Sequence, residues 1–124
     1  WGWMFFEGVY VGPTEEVPFR SLLVIYLATA MPGRLRMRLF GGTYEMNWAG
    51  VIVAAIFAIA HISSFWTRPL QEALLQQVYA FGLGVLYAYW LEKSKSIVAP
   101  IIGHNVSDGL EYIILFVWLG VFSL

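Results

Sequence analysis

The chain of 124 residues has no cysteine, which excludes disulfides, thiolate catalysis and cysteine-type zinc sites. Charge is also scarce. Asp, Glu, Lys and Arg make up 12% of residues, against about 25% in a soluble domain. The net charge of −1 offers no footing for nucleic acid, and none is expected as a partner. There is no internal repeat and no low-complexity tract. No Lys/Arg-flanked apolar start with a small-residue cleavage site opens the chain, so no signal peptide is expected. The chain lacks an initiator Met and begins mid-pattern with Trp1-Gly2-Trp3-Met4-Phe5-Phe6. We therefore expect a C-terminal piece of a longer protein. What is present is apolar: 60% hydrophobic residues and 18% aromatic ones, with a mean hydropathy of +0.70. These values predict an integral, multi-pass protein of the cell membrane, with the lipid bilayer as a partner.

A membrane span takes about 20 apolar residues, and four such runs are present. They cover residues 14–31, ended by Pro32-Gly33; 48–66, ended before Arg68-Pro69; 70–91; and a run from about 97 that can reach 122, with Gly109 as a possible bend. Pro100 falls in the first turn of the last run, where a missing N–H does no harm. The expected fold is all-α, a polytopic transmembrane helical bundle of about four spans plus the tail of an upstream helix before Gly12-Pro13. We treat residues 1–124 as one core domain. Strands are not expected, since an open sheet leaves its edges unsatisfied in lipid. Residues 32–47 are expected to lie on the membrane surface, with Leu35, Met37, Leu39 and Phe40 toward lipid. Arg34, Arg36, Arg38, Lys93 and Lys95 put this loop and the one after residue 91 in the cytoplasm by the positive-inside rule. Glu15 then opens on the non-cytoplasmic side.

Ionisable groups in apolar spans are costly and mark sites or pathways. Three stations stand out. In the first, Thr14 reads as a helix N-cap, with Glu15 and Glu16 suited to the positive helix end. Glu16 and Arg20 are four apart and can pair on one face. Glu15 points about 100° away and shares a face with Phe19. In the second, Phe57 and His61 lie at i, i+4 in an Ala/Ile run, with Ser63 and Ser64 beyond. As an isolated residue, His61 reads as an ordinary interior histidine. In the third, His104 and Asp108 are again four apart. They read either as a self-contained pair or as an imidazole oriented by Asp108. Asn105 and Ser107 face other ways and suit helix contacts, and Gly103 and Gly109 suit close helix approach. Together, a carboxylate, two imidazoles and an Asx-type side chain are the parts needed for water activation and oxyanion stabilisation.

These motifs resemble the CPBP (Abi) family of intramembrane proteases, which includes type II CAAX prenyl endopeptidases and bacteriocin-processing or immunity proteins. The family pattern runs EExxxR, FxxxH, then HxxxN or HxxxD. Here it reads Glu15-Glu16-Val17-Pro18-Phe19-Arg20, then Phe57 through His61, then His104 through Asp108. The resemblance covers nearly all of the chain from Pro13 onward. It implies that Glu15 activates water with help from His61. It also implies that Glu16 pairs with Arg20 to hold the first helix, and that His104 and the Asx position form the oxyanion pocket. Asp108 stands where the CAAX enzymes carry Asn. An ionised Asp cannot donate to an oxyanion, so it either stays protonated through burial or orients His104.

The resemblance implies a metal-independent glutamate mechanism with no cofactor. A zinc ion on Glu15, His61, His104 and Asp108 is the lesser alternative, since two His and carboxylates are ordinary ligands. The expected activity is that of an intramembrane endopeptidase. Its partner would be a membrane-embedded or lipidated peptide or protein, either a prenylated CAAX-type C-terminus or a bacteriocin precursor. Gln71, Gln76 and Gln77 are candidates for the polar end of its groove. The alternatives are a non-enzymatic immunity or scaffold protein of the same fold and, less favoured, a proton-coupled transporter. Prenylated proteins are processed at the cytosolic face, which conflicts with the side that the charge count gives Glu15.

Overall fold

The computed structural model describes residues 2–122. Residues 2–30 form one unbroken helix, α1. Its segments Gly2–Phe6, Gly12–Glu16 and Ile25–Ala30 are α-helical, and Glu7–Val11 and Val17–Val24 are wound as π-helix. Phe6, Val11, Gly12, Glu16, Val17, Val24 and Ile25 all keep right-handed helical dihedrals at the junctions. The expected break at Gly12-Pro13 is therefore absent. Thr14 is not an N-cap, because its hydroxyl donates to the carbonyls of Tyr10 and Val11. A proline inside a helix removes one N–H and crowds the carbonyl four residues back. For Pro13 that carbonyl belongs to Val9, which accepts instead from Asn105 Nδ2 at 3.2 Å. The adjacent Gly12 N–H donates to Asn105 Oδ1 at 2.9 Å. One side chain on a distant helix thus replaces what Pro13 removes. Gly12 must be glycine here, since an added Cβ would lie 2.8 Å from the Ile101 carbonyl oxygen and closer still to Asn105.

The segment expected to lie on the membrane surface folds as an antiparallel hairpin, β1 (Arg34–Leu39) and β2 (Gly42–Asn47). Its register pairs Arg34 with Asn47 through Leu39 with Gly42. This corrects the expectation of no strands. The physical reason is a two-residue alternation: Leu35 and Met37 pack on the core while Arg34, Arg36 and Arg38 point out. Leu35 and Met37 therefore face protein, not lipid. The Phe40-Gly41 turn has both φ values positive, 50° and 78°, the geometry of a two-residue I′ hairpin turn. Glycine takes it freely. A bulky side chain there costs about 1–2 kcal/mol.

Asn47 ends the hairpin and caps the next helix, α2 (Trp48–Ala60), accepting from Ala49 N–H. The helix expected to continue to residue 66 turns at residues 61–63, and a short α3 (Ser64–Thr67) follows. Gln77 holds that turn by donating to the His61 carbonyl at 3.0 Å. Helix α4 (Leu70–Ser94) and helix α5 (Val98–Phe122) complete the chain. α5 starts at the expected place, with Pro100 in its first turn.

Small residues let α2 and α4 cross closely. An added Cβ on Gly84 would lie 3.0 Å from the Ala54 Cβ, and one on Gly50 would lie 3.0 Å from that of Ala88. Gly103 likewise receives the rings of Trp90 and Tyr87, whereas Gly109 has open space. Leu22, Tyr26 and Val78 are exposed along the outer faces. Among the described residues, only Trp48–Thr67 is long and apolar enough to cross a membrane by length and composition. Polar residues of the site and its flanks lower the hydropathy of α1 and α4.

Candidate active site

The three stations converge. Glu15 and Glu16 occupy adjacent positions on α1 and so point about 100° apart, yet both reach one ring on α5. His104 Nδ1 lies 2.7 Å from Glu16 Oε1, and His104 Nε2 lies 3.8 Å from Glu15 Oε2. His61 brings its Nε2 to 4.0 Å from the same Glu15 oxygen. Asp108 Oδ2 is 3.5 Å from His104 Nε2.

Local backbone geometry explains the orientation of His61. At the end of α2 its N–H bonds to Ala58 rather than to Phe57. The Phe57 carbonyl is left to take the His61 ring nitrogen, with Nδ1 at 2.9 Å. A carbonyl only accepts, so Nδ1 carries the proton and the neutral ring presents a bare Nε2 toward Glu15. By the same reasoning Nδ1 of His104 donates to the Glu16 carboxylate, and its Nε2 is the atom turned toward Glu15 and Asp108.

Beneath these residues lies a buried ion pair. Glu16 and Arg20 are both fully buried, with Arg20 Nε 3.1 Å from Glu16 Oε2. The guanidinium makes no aligned hydrogen bond. It lies over the Phe57 ring at 4.4 Å, with Tyr87 at 5.8 Å and Phe19 at 5.9 Å. Such a cation is held by its carboxylate and by ring quadrupoles. Phe57 thus supports the site from several sides, since it also meets the His61 and His104 rings edge-on.

A cavity of about 850 Å³ reaches His61, His104, Asp108, Tyr87, Ser107 and Gln76. It also touches Arg68, Glu72 and Glu111. Glu15 is one-third exposed, but its Oε2 is shut off from solvent and has no hydrogen-bond partner. The 4.0 Å between Glu15 Oε2 and His61 Nε2 is the separation of two acceptors that share the two protons of one water. With legs of about 2.8 Å that water would subtend about 90°.

Several residues escaped the sequence reading. Tyr87 is buried, stacks on His104 at 5.4 Å and 24°, and hydrogen-bonds Ser107 at 2.7 Å. In the sequence it is one aromatic among several in an apolar run. The second task of Glu16, holding His104, has no local signal because 88 positions separate the two. Of the three glutamines, Gln76 lines the cavity, Gln77 ties the His61 turn, and Gln71 is exposed away from the cavity. Among the described residues, no three His, Asp or Glu side chains are grouped closely enough to hold a metal ion.

The model of the type II CAAX prenyl endopeptidase Rce1-like family matches residues 1–110. The chain belongs to the Rce1-like family. No curated protein and no solved structure shows significant similarity to it. The Rce1-like family is a membrane-embedded protease family, and the matched stretch contains all three stations, from Glu15 to Asp108.

Proposed function

We propose that this Rce1-like chain is an intramembrane endopeptidase and that the four long helical stretches each cross the bilayer. The observation that carries the reading is Glu15 Oε2, a carboxylate oxygen without a hydrogen-bond partner, set between the Nε2 atoms of two histidines. A lone buried acceptor of this kind is costly unless something donates to it. Water is the smallest group that does so and reaches His61 as well.

In the reaction, Glu15 takes a proton from that water as its oxygen attacks the peptide carbonyl. His61, fixed by the Phe57 carbonyl, orients the water. His104, in its doubly protonated form, donates Nε2–H to the oxyanion, while Glu16 holds Nδ1 and Tyr87 backs the ring. Asp108 faces the same Nε2 and orients it. Breakdown of the tetrahedral adduct cleaves the C–N bond, and the proton held by Glu15 passes to the leaving amine. No cofactor takes part. The substrate is a membrane-embedded or lipidated peptide whose apolar part lies in the cavity beside Leu75, Leu83 and Ile114. A prenylated CAAX-type C-terminus fits the family and is the first candidate.

The test is cleavage of a prenylated CAAX peptide in proteoliposomes, with products read by mass spectrometry. The wild-type chain should release the C-terminal fragment, and Glu15→Gln, folded alike, should not. Equal release by both would refute the assignment of Glu15. No release of any membrane peptide by the wild type would favour a scaffold of the same fold.

A further inference from the structure

The tip of the hairpin is the least economical feature of the fold. Phe40 is fully exposed at 103% and sits in the left-handed region at φ 50°. A turn of this type favours Asn, Asp or Gly at that position. Leu39 beside it is half exposed. The rest of the hairpin is firmly seated. Met46 is buried, Asn47 N–H donates to Glu92 at 2.7 Å, and Tyr44 meets Tyr89 edge-on at 6.1 Å. The tip is therefore an apolar projection carried on a seated hairpin.

Its place relative to lipid follows from the chain. β2 runs directly into Trp48, the first residue of the apolar stretch Trp48–Thr67. Tyr44, Trp48 and Tyr89 gather near that entry, as aromatic residues do at a membrane–water interface. Charge points the same way. The hairpin and the end of α4 carry Arg34, Arg36, Arg38, Lys93 and Lys95 against two carboxylates, Glu45 and Glu92. Arg34 and Arg36 are paired with those acids. Arg38 is exposed next to the tip, and Lys93 lies over Tyr89 with its chain exposed.

We propose that the Leu39-Phe40 tip is a membrane anchor that inserts at the headgroup–acyl boundary of an anionic leaflet, with Arg38 and Lys93 on lipid phosphates. An apolar wedge flanked by basic residues is the composition that binds such an interface. The anchor fixes the hairpin, and through Asn47 the start of α2, at a set depth. It is independent of the proteolytic reading.

The chain has no cysteine, so a nitroxide on Phe40→Cys reports that site alone. The chain is reconstituted in vesicles of phosphatidylcholine with or without phosphatidylserine, and oxygen and nickel-chelate accessibilities are measured. Expected is an oxygen-to-nickel ratio several-fold above that of a water-exposed site. The ratio should rise further with phosphatidylserine, and Arg38→Gln should remove that rise. A label fully open to nickel in both lipids overturns the proposal. A label shielded from both reagents also overturns it, because protein would then cover the tip. Equal depth in both lipids overturns the anionic preference.

Discussion

Replacing Glu16 by Gln keeps the shape of the site and removes one charge. In the native chain Glu16 Oε1 receives His104 Nδ1 at 2.7 Å and Oε2 faces Arg20 at 3.1 Å, with both partners of the ion pair fully buried. Glu16→Gln leaves the guanidinium as an uncompensated buried cation, and removing one partner of such a pair costs about 3–5 kcal/mol. At about 4 °C per kcal/mol for a chain of this length, the melting temperature should fall by roughly 12–20 °C. The companion Glu16→Gln/Arg20→Met removes both charges and keeps most of the volume. Apolar replacement of a whole buried pair is often neutral or better, so the double variant should regain most of the loss. It should not regain turnover, because His104 then has only a neutral amide at Nδ1. Thermal unfolding in micelles, followed by circular dichroism beside a peptide-cleavage assay, measures both quantities. A single variant as stable as wild type, or a double variant no better than the single, would refute the reasoning.

Other outcomes follow from the same geometry. Asn105→Ala strips the Gly12 N–H and the Val9 carbonyl of their partners and should cost about 1–3 kcal/mol in unfolding free energy; Gly12→Ala, which drives a Cβ into Ile101, should cost at least as much. Tyr87→Phe keeps the ring on His104 and should leave turnover nearly intact, whereas Tyr87→Leu removes the stack and should lower kcat with little change in KM. For Glu92, burial pushes the carboxyl up, but the Asn47 N–H and Arg34 outweigh it and hold it below its ordinary 4.5. A folded value below the unfolded one adds stability that is complete above about pH 5 and is lost as the pH falls through the folded value. Glu92→Gln should therefore be less stable than wild type at pH 7 and converge with it in acid, as read by denaturant midpoints across pH.

The grouping of the candidate site is legible in the sequence because most of its members sit at helical spacing within motifs. Phe57 with His61, His104 with Asp108 and Glu16 with Arg20 are all i, i+4, a relation any helix enforces. What was not legible depends on distant partners. Pro13 reads as a break until Asn105, on another helix, supplies what it removes. α2 reads as continuing to residue 66 because nothing in Ile62-Ser63-Ser64 announces a turn, and Gln77, on α4, holds it there. The hairpin is hidden in the sequence because its turn lacks the usual Asn-Gly and carries Phe40, and because the alternation of Arg34, Leu35, Arg36 and Met37 reads equally as a surface segment with its apolar side on lipid rather than on protein. Glu15 and Glu16 were expected at a helix mouth. They lie mid-helix in α1, while the cavity beside them still reaches Arg68 and Glu72, at the end of the bundle opposite the hairpin.

The most direct test of a shared, activated water is a double-mutant comparison of cleavage rates. Glu15→Gln and His61→Gln should each lower kcat by about 10²–10⁴, and the double variant should be scarcely worse than either, since both residues act on one molecule. Near-native turnover in Glu15→Gln, or losses that multiply in the double variant, would contradict the account.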